Sequence, residues 1–169
     1  IIGYGHTGKS FARRISGFNV KTLCYDILEN VGNDNAQQVN LETLQSQSEV
    51  ISLHIPQTDL TNSMINKEFI EAMSHPFWLL NTARGAAVVT LDLVEGLKSQ
   101  KIMGAGLDVL EYENRSFSSI FNQEKLPPEL KYLMDAENVL LSPHVAGWTK
   151  ESHLKLATTI VKKVKNIFS

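Results

Sequence analysis

Cysteine is almost missing from this chain: Cys24 is the single one among 169 residues. That excludes an internal disulfide framework and any multi-cysteine zinc site, and it suits a reducing compartment, so a cytoplasmic location is expected. No apolar run reaches the roughly 18 residues of a membrane span, and the first residues lack the charged-then-apolar order of a secretion signal. A surplus of positive charge is lacking too. Sixteen Lys and Arg against eighteen Asp and Glu leave a formal charge of −2, which argues against a phosphate-backbone partner. No nucleic acid and no membrane are therefore expected as partners. Gly/Ser-rich linkers, repeats, low-complexity tracts and His/Asp/Glu clusters at metal-ligand spacing are also missing, so no metal is expected. What remains is a globular composition, 43% hydrophobic and 20% charged, at a length that suits one domain.

Short apolar, β-branched runs at residues 1–4, 20–25, 50–55, 77–80, 102–109 and 139–141 alternate with stretches of helical periodicity at 8–16, 41–44, 67–73 and 91–99. Each run reads as a strand buried on both faces. The alternation predicts βαβ units and a doubly wound α/β domain: a parallel sheet with helices on both faces. Residues 150–168 form a long amphipathic helix, with Leu154, Ala157, Val161, Val164 and Phe168 at steps of three and four. It either packs on its own domain or bridges to another. The stretch 111–137 is the least regular, with Pro127-Pro128 and scattered Phe117, Ile120 and Phe121. It reads as functional, as an interface, or as partly helical. The opening Ile1-Ile2-Gly3 looks like a strand entered halfway, so further sequence is expected upstream.

Gly3-Tyr4-Gly5-His6-Thr7-Gly8 matches G-x-G-x-x-G between an apolar run and a helical pattern. In that context the glycines permit a tight turn, close approach of backbone to a pyrophosphate, and helix-on-strand packing, while the helix N-terminus offers free N–H groups. Phosphate is expected near Gly5, His6, Thr7 and Gly8, with His6 either donating to it or facing solvent. Asp26 ends the second strand, where an acid can accept hydrogen bonds from the adenosine ribose. A carboxylate there repels the 2′-phosphate of NADP, and Ile27, Leu28 and Glu29 bring no cation to offset it. NAD is the expected cofactor. Cys24, inside a strand, reads as packed rather than reactive, and His75 and His153 as surface residues.

Ligands of open α/β sheets bind beyond the carboxyl ends of the strands. Three such ends carry chemistry: Asn81-Thr82-Ala83-Arg84-Gly85 presents a cation, 107–113 presents Asp108, Glu111 and Glu113, and Ser142-Pro143-His144 presents an imidazole.

Together these segments resemble the D-isomer-specific 2-hydroxyacid dehydrogenases. The likeness runs through the glycine motif, Asp26, His54-Ile55-Pro56-Gln57-Thr58, Asn81 to Gly85, Gly104 to Val109, and Ser142-Pro143-His144-Val145-Ala146-Gly147-Trp148-Thr149. The resemblance implies an oxidoreductase that transfers a hydride between NAD(H) and a small D-2-hydroxy acid or 2-oxo acid. It implies that Arg84 binds the substrate carboxylate, that His144 is the acid/base and that Glu113 pairs with it. It further implies that His54, Pro56, Thr82 and Asp108 line the cofactor pocket, Asp108 near the nicotinamide. Homodimerisation through the cofactor domain and a substrate domain built mostly from residues before the glycine loop are implied too, so that this stretch alone should bind NAD yet turn over little. Two positions depart from the pattern. Asn114 stands where the family commonly has Pro, which leaves Glu111 as an alternative partner of His144, and Thr90 stands where Asp is common. A dinucleotide-sensing or protein-interaction domain of the same fold is the competing reading.

Overall fold

Residues 1–3 are too few for a strand of ordinary length, yet they lie at the middle of the sheet. In the computed structural model, which describes residues 1–112 and 126–168, Ile2 is bridged in parallel to Tyr25 on one side and to Leu53 on the other. Gly3 N donates to Tyr25 O and Ile2 N to Ser52 O, both at 2.9 Å, and His54 N donates to Ile2 O at 2.8 Å. On one flank β1 (Leu23–Cys24) pairs with β2 (Gln37–Gln38). On the other, β3 (Val50–Leu53), β4 (Phe77–Asn81), β5 (Ile102–Leu107) and β6 (Val139–Leu141) follow in that order. All these pairings are parallel. Every strand therefore delivers its carboxyl end to one edge.

The helices divide between the faces. Ile1 joins Tyr4, Ala12, Cys24 and Ala36 in a small cluster under α1 (His6–Ile15). Ile2 points the other way, into the main core with Leu53, Leu79 and Leu107. Onto that core pack Leu44 of α2 (Leu41–Gln47), Phe69 and Ile70 of α3 (Lys67–Ala72), Leu93, Val94 and Leu97 of α4 (Thr90–Lys98), and Leu133 of α5 (Pro128–Asp135). The doubly wound α/β architecture follows from this split. Side chains set two of the helix starts: Asn40 accepts from Thr43 N at 2.8 Å and Asn66 from Phe69 N at 3.0 Å, each satisfying an orphan N–H.

The structure corrects some of these expectations and decides between others. The strand expected over 20–25 shortens to Leu23–Cys24, because Val20 is left in solvent. The strand Gln37–Gln38 was not legible, since two glutamines carry no β signal and pair only because β1 lies alongside. The strands beyond the middle are not buried on both faces: α3, α4 and α5 cover one face, while Trp78 stays 44% and Leu140 74% exposed on the other. Within the stretch read as irregular, α5 begins with Pro128 in its first turn, where a missing N–H costs nothing, and it buries Leu130 and Leu133. The long helix α6 (Lys150–Phe168) has its expected bounds but buries none of its residues, so the reading in which it packs on its own domain does not hold among the described residues. Phe117, Ile120 and Phe121 lie outside the described residues.

Candidate active site at the carboxyl edge of the sheet

The glycine loop is shaped by contacts that no side chain allows. Gly3 has φ +86°, and a Cβ there would stand 2.6 Å from the His54 carbonyl oxygen; one on Gly8 would run into the carbonyl of Gly3. Helix α1 starts at His6 with Gly5 at its N-cap, without a side-chain cap and without an acid in its first turn. Gly5, His6 and Thr7 are exposed, and nothing lies within 4 Å of a Cβ placed on Gly5. Uncapped N–H groups at a positive helix end with open space above them are what a pyrophosphate requires. Asp26 closes the loop from the next strand: its carboxylate accepts from Tyr4 N at 2.6 Å and Leu28 N at 3.0 Å. A carboxylate has about four lone-pair sites, so it keeps capacity for ribose hydroxyls.

His54 stands beside this loop at the end of β3. Its ring lies 4.9 Å from that of Phe11 in α1, its Nε2 meets Ser52 Oγ at 3.0 Å, and its buried Nδ1 has no partner among the described residues. Burial lowers its pKa to about 4, so the ring is neutral at physiological pH. The loop that follows folds on itself and on the next strand end: Thr61 Oγ1 donates to Pro56 O at 2.6 Å, and Ser63 N donates to Ala86 O at 2.7 Å.

Beyond β4 the chain presents Thr82 and Arg84 to solvent and buries Asn81 and Ala83. The Asn81 side chain sets this turn, accepting from Ala83 N at 3.0 Å and donating to Arg84 O at 2.9 Å. The Arg84 guanidinium donates to Ala83 O at 2.6 Å. Gly85 lies directly under the Leu110 carbonyl, so closely that a Cβ would overlap it. Next to that contact, Glu111 accepts from Thr90 N at 2.7 Å at the start of α4. The carboxylate left open as a partner for His144 is thus employed as a helix cap; Glu113 lies outside the described residues, as does Asn114.

Asp108, 4% exposed, latches the third strand end to the others. Its carboxylate accepts from Ser142 Oγ at 2.7 Å, Val145 N at 2.8 Å and Ala146 N at 3.0 Å. Its backbone carbonyl accepts from His144 N at 2.9 Å and its N–H donates to Asn81 O at 3.0 Å. Burial by itself pushes its pKa up, but the hydrogen bonds from Ser142, Ala146 and Val145 outweigh that and hold it below the ordinary carboxylate value. His144 is held at φ +54°, a left-handed conformation uncommon for a residue with a Cβ. Hydrogen bonds therefore run continuously from the His144 backbone through Asp108 and Asn81 to Arg84.

Tyr4, Asn81, Ser142 and the capping role of Glu111 were not singled out from sequence. Only Asn81 carried a local signal, an Asn two residues before a turn; the others act through partners distant in the chain.

The family described as the NAD-binding domain of D-isomer-specific 2-hydroxyacid dehydrogenases matches residues 1–146. A glyoxylate reductase of Thermofilum pendens is 39% identical over 162 residues, covering 93% of this chain and 44% of that protein. A glycerate dehydrogenase of Methylorubrum extorquens is 38% identical over 165 residues, with 98% and 48% covered. Among solved structures, the NAD-complexed D-isomer-specific 2-hydroxyacid dehydrogenase of Lactobacillus delbrueckii ssp. bulgaricus superposes with a TM-score of 0.84 at 30% identity, over 98% of this chain and 51% of that one. The D-lactate dehydrogenase of Aquifex aeolicus, complexed with NAD and lactic acid, gives 0.83 at 34% identity, over 99% and 52%. The chain thus spans about half the length of the relatives it matches. It belongs to the D-isomer-specific 2-hydroxyacid dehydrogenases and forms their NAD-binding domain.

Proposed function

We propose that this chain is the cofactor-binding part of an enzyme that moves a hydride between NAD(H) and a small D-2-hydroxy acid or 2-oxo acid. The observation that carries the reading is the hydrogen-bonded path joining His144, Asp108, Asn81 and Arg84 at the edge that also holds the glycine loop. A domain that only sensed the dinucleotide would have no use for a latched His and an exposed Arg beside it.

Gly3, Gly5, His6, Thr7, Gly8 and Asp26 hold the pyrophosphate and ribose, and His54, Pro56, Thr82 and Asp108 shape the pocket around the rest. NADH, when bound, supplies the hydride. Arg84 offers a planar fork to the substrate carboxylate and polarises the adjacent carbonyl. His144 gives a proton to the carbonyl oxygen as C2 accepts the hydride, and in the reverse direction takes it from the hydroxyl. Glu113 orients the imidazole. The wall opposite Arg84 belongs to a substrate domain outside these residues, in keeping with the half-length match to relatives. The protein acts in the cytoplasm as a homodimer. The apolar surface of Trp78, Met103 and Leu140, together with the uncovered side of α6, supports a contact of that kind.

His144→Ala in the full-length protein is expected to lower kcat by at least about 100-fold with the KM for NADH little changed. Unchanged turnover with every small 2-oxo acid overturns the assignment. Calorimetry on this chain alone should give NADH binding, with weaker binding of NADPH and little or no turnover.

A further inference from the structure

We propose that Gln38 sets the preference for NAD over NADP by holding the loop after Asp26 in a shape that admits a free ribose 2′-hydroxyl and refuses a 2′-phosphate. This rests on the reading that Asp26 meets the adenosine ribose. Gln38 lies on β2, the strand whose sequence gave no sign of structure, and its amide spans the loop. Nε2 donates to Leu28 O at 2.7 Å and Oε1 accepts from Val31 N at 2.8 Å.

Leu28 is thereby held from both sides, because its own N–H donates to Asp26 Oδ1 at 3.0 Å. The other Asp26 oxygen is held by Tyr4 N at 2.6 Å, and the Tyr4 hydroxyl donates to Asn33 Oδ1 at 2.8 Å, further along the same loop. Apolar packing anchors Val31 and Ala36 to the cluster under α1 but does little for the part directly after Asp26. Ile27 is 73% and Leu28 64% exposed, and Asn30 is held at φ +58°. The far end of the loop, from Gly32 to Gln38, lines an open cavity, with Ala36 buried in the cluster under α1. Polar ties therefore decide the shape of the loop, and Gln38 supplies two of them at once.

A 2′-phosphate adds bulk and about two negative charges. To take it, the site has to move the Asp26 carboxylate aside and bring up a cation, yet no Lys or Arg occurs between residues 26 and 38. Asp26 can turn away only if Leu28 moves, and Gln38 holds Leu28 in place. Asp26 supplies the repulsion and Gln38 keeps it aimed.

The test is fluorescence titration of this chain with NADH and with NADPH, alongside urea unfolding. Gln38→Met removes both bonds at nearly constant length and is expected to weaken NADH about tenfold while leaving NADPH unchanged or tighter, so the selectivity ratio narrows by about that factor. Gln38→Glu keeps the acceptor for Val31 N and is expected to narrow it less; should Gln38→Met fail to fold, the Glu variant decides on its own. A wild-type ratio in a folded variant, or equal loss for both cofactors, overturns the proposal. Asp26→Ala separates the two readings. If it leaves NADH binding intact, the ribose role of Asp26 falls and this proposal with it. If it weakens NADH while Gln38→Met keeps the wild-type ratio, only the role of Gln38 falls.

Discussion

Two carboxylates at the same sheet edge do similar work by different means. Asp26, half-buried, is held by two backbone N–H groups and steadies an exposed loop beside the glycine motif. Asp108, almost fully buried, is held by three donors and fastens the His144 loop to β5. The first end is a cradle made by local backbone, open to a ligand on one side. The second is a joint between strands distant in sequence, gathered on one buried carboxylate. The difference teaches where tolerance to change resides: the Asp26 end can be altered at a cost to binding, the His144 end only at a cost to folding.

The sharpest way to break this contrast is to remove each carboxylate in turn. Asp108→Ala takes one buried acceptor away from Ser142 Oγ, Val145 N and Ala146 N together and releases a residue held at positive φ. Its expected cost is roughly 3 kcal/mol of stability. Asp26→Ala takes its acceptor from two donors, of which Leu28 N is exposed, and should cost only about 1 kcal/mol while weakening NADH the more of the two. Urea denaturation and NADH titration of both variants decide the matter. Equal stability losses would dissolve the distinction between cradle and joint.

A smaller effect tests the joint without touching a charge. Gly85→Ala forces a methyl against the Leu110 carbonyl and must part the Arg84 turn from the segment that carries Glu111. Overpacking of this kind is expected to cost roughly 2 kcal/mol. In the full-length protein it should raise the KM for the 2-oxo acid more than that for NADH, as steady-state kinetics with each substrate varied would reveal. A larger rise for NADH would mean that the two ends are not mechanically separate.

What could be read beforehand follows the same line. The places of the glycine loop, Asp26, Arg84 and His144 at one sheet edge were legible because each sits in a short segment whose residue types announce a turn or a strand end. The parallel order and the helices on both faces followed from alternating apolar runs. The bonds that hold the His144 end together were not legible, since Ser142 and Ala146 lie 34 and 38 residues from Asp108 and nothing local distinguishes a latching Ser from any other. For the same reason Gln37–Gln38 gave no hint of a strand: its pairing and its crossbar exist only once β1 is in place. Pro127-Pro128 left the stretch 111–137 open between several readings, and the partly helical one holds where Pro128 starts α5.

The smallest expected effect separates the two ends by pH. His54, packed on Phe11 beside the glycine loop, has its pKa lowered by burial to about 4 from the ordinary 6.5, so the unfolded chain takes up a proton there before the folded one does. Stability from this residue is therefore complete above pH 6.5, falls as the pH drops from 6.5 to about 4, and changes no further below that. Asp108 works in a lower window. Its folded pKa lies below the ordinary 3.8, so its contribution is complete above 3.8 and is lost only as the pH falls beneath it. Thermal melts of the chain between pH 7 and pH 3 should thus show a first decline carried by the His54 side and a second carried by the Asp108 latch. His54→Phe keeps a ring against Phe11 and removes the titration, so it should flatten the first decline and leave the second in place. A first decline that survives this substitution would put the acid-sensitive element elsewhere and remove the pH distinction between the two ends.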